Sequence, residues 1–392
     1  MSKKRSAIRA DDLRAAVQCL FVAAGLPAAD AALVAGDLVE GDLCGLTSHG
    51  VLRAAEYVDA LLSGRLHPGA EPALRRQTAS TGVYDCGWNL GIVSAHRLVD
   101  RLLAKAASGG LAAVVGVECH HIGRLGSYAS RIARAGFLGF VSAAGTAHCH
   151  YVVPWGGRAG RLATNPLAYG IPSGAEPIIL DMSTSMYAEG KVRAARTLGQ
   201  RLPEGVILDG QGRPSTDPED FYRQPHGHIL PFGGAMGYKG FGLGVLVETL
   251  GRCLPGLLVS QEGKSYRMGN GVFMAALDPA AFCDGHAFAA AVADLKAYIT
   301  SAPPAPGHDA VRMPGGYDAA IRRRRLAEGI PLAPQVRKSL LAAARRAGLS
   351  QQTVSCFPFP VGRRSARHAG NRKRETGNGK RPPSSPQRRG QH

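Results

Sequence analysis

A chain of 392 residues exceeds the usual size of one domain, so two lobes are expected, and 45% apolar residues suffice for a substantial core. The formal charge of +18 points to a nucleic-acid partner only if it is spread over a surface, and half of it falls within residues 361–392, which hold ten Lys/Arg and one acid, Glu375. Eight cysteines without a C-x-x-C pair exclude a disulfide framework and a zinc ribbon, and fit the reducing cytoplasm.

The first predicted elements are amphipathic helices over 10–25, 28–43 and 50–63. In the first, Leu13, Val17, Leu20 and Phe21 recur at helical spacing behind Asp11 or Asp12 as cap, which argues against a signal segment despite the basic start. Gly25, Pro27 and the joint Thr47-Ser48-His49-Gly50 separate these helices. From about residue 75, β-branched runs at 111–117, 137–145 and 177–183 alternate with helical stretches at 90–108 and 124–136, as in a sheet covered by helices. A helix over 240–254 follows, interrupted by Glu248, Arg252 and Pro255 and so no membrane span. A strand at 270–278 and helices near 285–301, 316–328 and 334–347 complete the fold. The basic stretch is rich in Pro, Gly, Ser and Asn and poor in large apolar residues, so 353–392 is predicted to be a disordered tail. Nonspecific, salt-sensitive binding is the most it would offer a nucleic acid, and nucleic acid is not expected as a partner. No G-x-G-x-x-G sits between a strand and a helix, which argues against a Rossmann domain.

Several constellations bear chemistry. Ser48-His49-Gly50 is followed by Arg53, and a helix starting at Gly50 would put His49 and Arg53 near one face. Imidazole exchanges protons near neutral pH, and a guanidinium fork matches a carboxylate, so the pair suits an α-keto acid; alternatively, Ser48 merely caps the helix and His49 fills the joint. His120, His121, His148 and His150 raise a metal-dependent hydrolase or lyase as an alternative, although H-H…H-x-H matches no zinc spacing and no metal is expected. Turn-rich segments expose backbone N–H groups suited to phosphate: Thr164-Asn165-Pro166, Asp181-Met182-Ser183 and Gly237-Tyr238-Lys239-Gly240. Lys191 and Lys239 are candidate cations, and Asp181 ends an apolar run where a carboxylate can orient a histidine.

Together these segments resemble the malate/L-lactate dehydrogenase family, which includes ureidoglycolate and sulfolactate dehydrogenases and cyclic-imino-acid reductases. The matching stretches include DLCGLTSHGVLRAAEYVDALLSGRLHP (42–68), HIGRLGSYASRIARAGFLGFV (121–141), VPWGGRAGRLATNPLAYGIP (153–172), ILDMSTSMYAEGKV (179–192), LPFGGAMGYKGFGLGVLVE (230–248) and NGVFMAALDP (270–279). The resemblance implies an α/β fold with a non-Rossmann mixed-sheet cofactor domain and a helical domain formed from the N- and C-terminal segments. Its boundaries are 1–74 plus 308–352 for the helical domain, which carries the Ser-His-Gly motif, and 75–307 for the NAD(P)-binding domain. It further implies a homodimer using NAD or NADP on a small 2-oxo or 2-hydroxy acid, or a related imino acid. His49 resembles the acid/base, Ser48 an orienting hydroxyl, Arg53 the carboxylate clamp and His121 a proton acceptor. Thr146, Thr164, Asn165, Pro166, Asp181, Met182, Ser183, Lys191, Lys239, Gly240, Pro314 and Gly315 resemble cofactor contacts. The loop 145–153 is longer than the family's, richer in His and Cys, and loosens the assignment at Thr146.

Overall fold

The computed structural model describes residues 7–259, 269–355 and 357. A short strand β1 (Ala7–Ile8) leads into helices α1 (Ala10–Ala23), α2 (Ala28–Leu43) and α3 (Ala54–Leu62). Asp11 and Asp12 lie in the first turn of α1 rather than at its cap, which is Arg9. The predicted helix over 50–63 starts only at Ala54; two 3-10 turns, Thr47–His49 and Val51–Arg53, occupy the joint before it.

Strands β2 (Ala73–Gln77) and β3 (Thr81–Asp85) are followed by α4 (Gly91–Gly109), β4 (Leu111–Cys119), α5 (Leu125–Arg134) and β5 (Leu138–Gly145). Next come β6 (Leu167–Ile171), β7 (Ile178–Met182), α6 (Glu189–Thr197), β8 (Ile207–Leu208), β9 (Pro214–Ser215), α7 (Pro218–Tyr222) and β10 (His228–Ile229). Helix α8 (Gly237–Glu248) continues as a π turn over Thr249–Cys253. The chain then forms β11 (Asn270–Leu277), α9 (Gly285–Thr300), α10 (Gly316–Glu328), β12 (Ile330–Pro331), α11 (Pro334–Arg346) and α12 (Gln351–Ser355). Of the predicted tail, 353–355 belong to α12 and Phe357 is buried; the remainder lies outside the described residues.

The main sheet has the order β2-β3-β4-β11-β5-β6-β7. It is mixed: β3 runs parallel to β4, and the other neighbours are antiparallel. No doubly wound parallel sheet is present among the described residues, in keeping with the missing glycine fingerprint. Alternation along the strands divides the two faces. Val141, Ala143 and Ala168 join α4 and α5 in one core, while Ala144 and Leu167 meet Val247 of α8 on the opposite face. A separate core gathers α1, α2 and α3 with Ile330, Leu340, Ala343 and Ala344, so the first helices and α11 share one helical layer. The β1–β12 pair stitches those ends together. A small lobe around the three-stranded sheet β10-β8-β9 has its own cluster, including Val192 of α6.

Candidate active site

The Ser-His-Gly turn is pressed onto the last turn of α2. A Cβ on Gly50 would stand 2.3 Å from the Asp42 carboxylate, and one on Gly41 would stand 2.7 Å from the His49 carbonyl oxygen. Only glycines permit this approach. Asp42, buried, accepts the Val51 N–H at 2.8 Å. Burial pushes its carboxyl up to about 7, against the Val51 hydrogen bond and the Arg325 charge.

On this turn the Ser48 hydroxyl lies 3.0 Å from His49 Nδ1. Arg53 Nε donates to the Ser48 carbonyl at 2.9 Å, and its Nη1 to Glu56 at 2.8 Å. Burial opposes the Arg53 charge, but Glu56, Tyr57 and Glu189 together outweigh it and hold the charge on. His49 and Arg53 therefore cluster through the 3-10 turns and the Arg53–Ser48 bond, not through a helix beginning at Gly50.

From the opposite side, the end of β4 delivers His120 and His121. The His121 ring stacks on His49 with centroids 5.9 Å apart, and its Nδ1 lies 2.6 Å from the Tyr57 hydroxyl. His120 packs edge-on against Tyr57, with its Nδ1 buried and without a hydrogen-bond partner among the described residues. Burial lowers all three histidines. His49 falls to about 4, helped by the charges of Arg53, Arg124 and Lys191; His120 also falls to about 4, and His121 lies well below its ordinary value.

Asp181 takes a different place from the one predicted. Its carboxylate accepts the Gly126 N–H at 2.8 Å and lies 3.7 Å from Arg124 Nε, with no hydrogen bond to either histidine among the described residues. Burial raises its carboxyl, against Arg124. Arg124 also lies 3.6 Å from Asp318 of α10. Gly315, with φ of 80°, lets the turn after Pro314 approach β7, where a Cβ would be 2.7 Å from the Ile179 carbonyl oxygen. Lys191 is exposed near the start of α6, beside Gly190, whose Cβ would sit 3.9 Å from both Arg53 Nη2 and Ser48 Cβ.

The remaining candidates form a second group along the sheet edge. The Thr164 carbonyl accepts from the Ser183 hydroxyl at 2.9 Å and from the Thr184 N–H at 3.1 Å. The Pro166 carbonyl accepts from the Ala143 N–H, and Met182 packs on the face that carries α8. The Asn165 side chain lies within the fold. It is fully buried and spends its hydrogen bonds on the Gly145 N–H, the Gly244 carbonyl and Glu248. Thr146 is likewise buried, its hydroxyl accepting the Gly269 N–H at 3.3 Å. A Cβ on Gly240 would strike the Phe232 backbone at 2.1 Å, so this glycine seats α8. Lys239 is exposed in the first turn of α8, which has no side-chain cap. The Gly237 N–H is taken by the Gly234 carbonyl, and the turn that follows, beside a lysine, offers donors of the kind that fit a phosphate.

No group of three His, Cys, Asp or Glu able to hold a metal ion occurs among the described residues. His148 is exposed and His150 half-buried on their own loop, and nothing favours the hydrolase or lyase alternative. Three residues of the site escaped sequence reading: Tyr57, Arg124 and Asp42. Tyr57 carried a signal, since it follows Arg53 by one helical turn.

The family profile described as malate/L-lactate dehydrogenase matches residues 8–341. L-sulfolactate dehydrogenase from Methanothermobacter thermautotrophicus is 32% identical over 331 residues, 83% of this chain and 93% of that protein. (2R)-3-sulfolactate dehydrogenase (NADP(+)) from Chromohalobacter salexigens is 33% identical, covering 77% and 88%. The crystal structure of malate dehydrogenase from Entamoeba histolytica superposes with a TM-score of 0.83 at 25% identity, covering 90% and 99%. The fold and the sequence together define a dehydrogenase. The chain belongs to the malate/L-lactate dehydrogenase family.

Proposed function

We propose that this chain is an NAD- or NADP-dependent oxidoreductase that interconverts a small 2-oxo acid and its 2-hydroxy acid, or reduces a related cyclic imino acid. The observation that carries this reading is the packing of Ser48, His49, Arg53 and His121 into one cluster fed by three cations. The NADP(+) in the name of the Chromohalobacter relative supports the cofactor class. The first turn of α8 with Lys239 would hold a phosphate of the dinucleotide, and the turns at 164–166 and 181–183 would wall its cleft. When bound, the nicotinamide supplies a hydride to, or accepts one from, the carbon that carries the oxygen.

The chain's own residues do the rest. Arg53, fixed by Ser48 and Glu56, binds the substrate carboxylate. His49 gives a proton to the carbonyl oxygen in reduction and takes it from the hydroxyl in oxidation. Its low basicity leaves it neutral and ready to act as a base, and an arriving carboxylate offsets the surrounding cations and makes protonation easier. Ser48 orients the imidazole through Nδ1. Asp181 anchors the first turn of α5 and partly neutralises Arg124.

We further propose a homodimer in the cytoplasm. Helix α9 and the turn before it expose Phe282, Leu295, Tyr298 and Ile299. The sheet face away from α4 and α5 carries an apolar groove of about 320 Å³ lined by Leu138, Phe140, Tyr169, Ile171 and Leu277. Surfaces of this kind are normally covered. Free thiols at all seven described cysteines, and no helix among the described residues long and apolar enough to cross a membrane, support the location.

The test is consumption of NADH or NADPH, followed by nicotinamide absorbance, against a panel of 2-oxo acids and cyclic imino acids. Turnover with at least one pair is expected; no turnover together with no binding of either nucleotide overturns the reading.

A further inference from the structure

Two groups converge on one nitrogen of His121. The Tyr57 hydroxyl lies 2.6 Å from Nδ1, and the Gly123 backbone N–H donates to the same atom at 3.4 Å. A backbone N–H has no lone pair, so the nitrogen that receives it must be the unprotonated one. The hydroxyl, able to donate or accept, is then the donor in the Tyr57 contact. A proton on Nδ1 would face the Gly123 N–H head-on and leave it without its acceptor.

We infer that His121 is locked as the neutral tautomer with its proton on Nε2, and acts as a hydrogen-bond donor at the site rather than as a proton acceptor. Burial favours the same state from both sides, since it lowers the His121 imidazole well below its ordinary value and raises the Tyr57 phenol well above its own. Among the described residues no protein group bonds Nε2, which leaves that N–H for a ligand. With Nδ1 occupied by two donors and Nε2 already protonated, His121 has no free basic nitrogen. The transferred proton then belongs to His49, whose Nδ1 faces, among the described residues, only the adaptable Ser48 hydroxyl. On the oxidoreductase reading above, the Nε2–H would steady the substrate oxygen as negative charge builds there. Tyr57 is a positioning residue that acts through His121.

The assignment is tested by long-range proton–nitrogen NMR on the full chain labelled with ¹⁵N-histidine. Its spectra separate the two neutral tautomers and the imidazolium, and loss of one signal set in His121→Asn identifies His121. The expected result at neutral pH is the Nε2–H pattern for His121 in the wild type, retained in Tyr57→Phe because the Gly123 N–H still donates to Nδ1. An Nδ1–H tautomer or an imidazolium in the wild type would overturn the inference, whether or not any substrate turns over. If turnover is found, His121→Gln, which keeps an N–H donor, should retain at least tenfold more activity than His121→Leu, and equal losses would count against a donor role. Absence of turnover would bear on the proposed function and leave the tautomer to be decided by the spectra.

Discussion

At the scale of single residues, the account turns on His49 being neutral. Burial, then Arg53, Arg124 and Lys191, hold its imidazole at about 4 in the free protein. A base with a depressed value is competent above that value and lost as pH falls through it. Hence kcat/KM for hydroxy-acid oxidation should stay level from neutral pH downward and fall only as pH nears about 4. In Arg124→Met, with one of those cations gone, the fall should move to higher pH; a wild-type profile that breaks near 6.5 would contradict the electrostatics. Arg53→Lys keeps the charge but loses the fork that reaches Ser48 and a carboxylate together. It should raise KM roughly 10- to 100-fold, as expected for losing a charge-assisted hydrogen bond of about 1.5–3 kcal/mol, while kcat changes much less. Gly50→Ala forces a methyl into the Asp42 carboxylate and should cost about 1–3 kcal/mol in urea denaturation, with a fall in kcat as the His49 turn shifts.

At the scale of elements, the long helices were legible because their apolar residues recur at helical spacing. Helices α1, α2, α4 and α11 fall within two residues of their expected limits. Strands β4, β5 and β7 announced themselves as β-branched or apolar runs. Strand β2 did not, because every residue of Ala73–Gln77 is exposed and nothing alternates; β6 was hidden among turn residues. The His49 joint was read as the start of a helix because the packing that turns it into 3-10 geometry is long-range, a meeting of Gly50 with Asp42. Ser48, His49, Arg53 and His121 could be singled out from motif and resemblance. Arg124 could not, since its role depends on Asp181 and Asp318, which lie 57 and 194 positions away in sequence. Asn165 stands out in the sequence as part of a turn, and the structural work of its amide, joining β5 to α8 and holding Glu248, depends on long-range partners. Asn165→Ala should therefore lower stability by about 1–3 kcal/mol through the orphaned buried partners, and a neutral effect in denaturation would refute that structural role.

At the scale of the whole molecule, α1 to α3 and α11 build one helical layer, the middle builds the mixed sheet, and His49, His120 and His121 meet where α2 and α3 face the end of β4. All three are held with depressed basicity, so each binds fewer protons folded than unfolded once pH drops below about 6.5, while the raised carboxyls of Asp42 and Asp181 act in the opposite sense. The share of stability that rests on these histidines should decline from pH 6.5 toward 4, seen by comparing the Tm of the wild type and of a variant across that range. His120→Gln, outside the proposed chemistry, should flatten that decline. The exposed apolar residues of α9 predict a solution mass near twice 41.0 kDa by light scattering, with Leu295→Asp plus Tyr298→Asp shifting it toward the monomer; an unchanged mass would place the contact elsewhere.

The most direct test of the central claim is His49→Ala, assayed with the best substrate and nucleotide while nucleotide binding is followed by fluorescence. The account predicts a fall in kcat of roughly 10²- to 10⁴-fold with nucleotide affinity nearly unchanged. Turnover equal to the wild type would show that His49 does not move the proton and would contradict the mechanism at its centre.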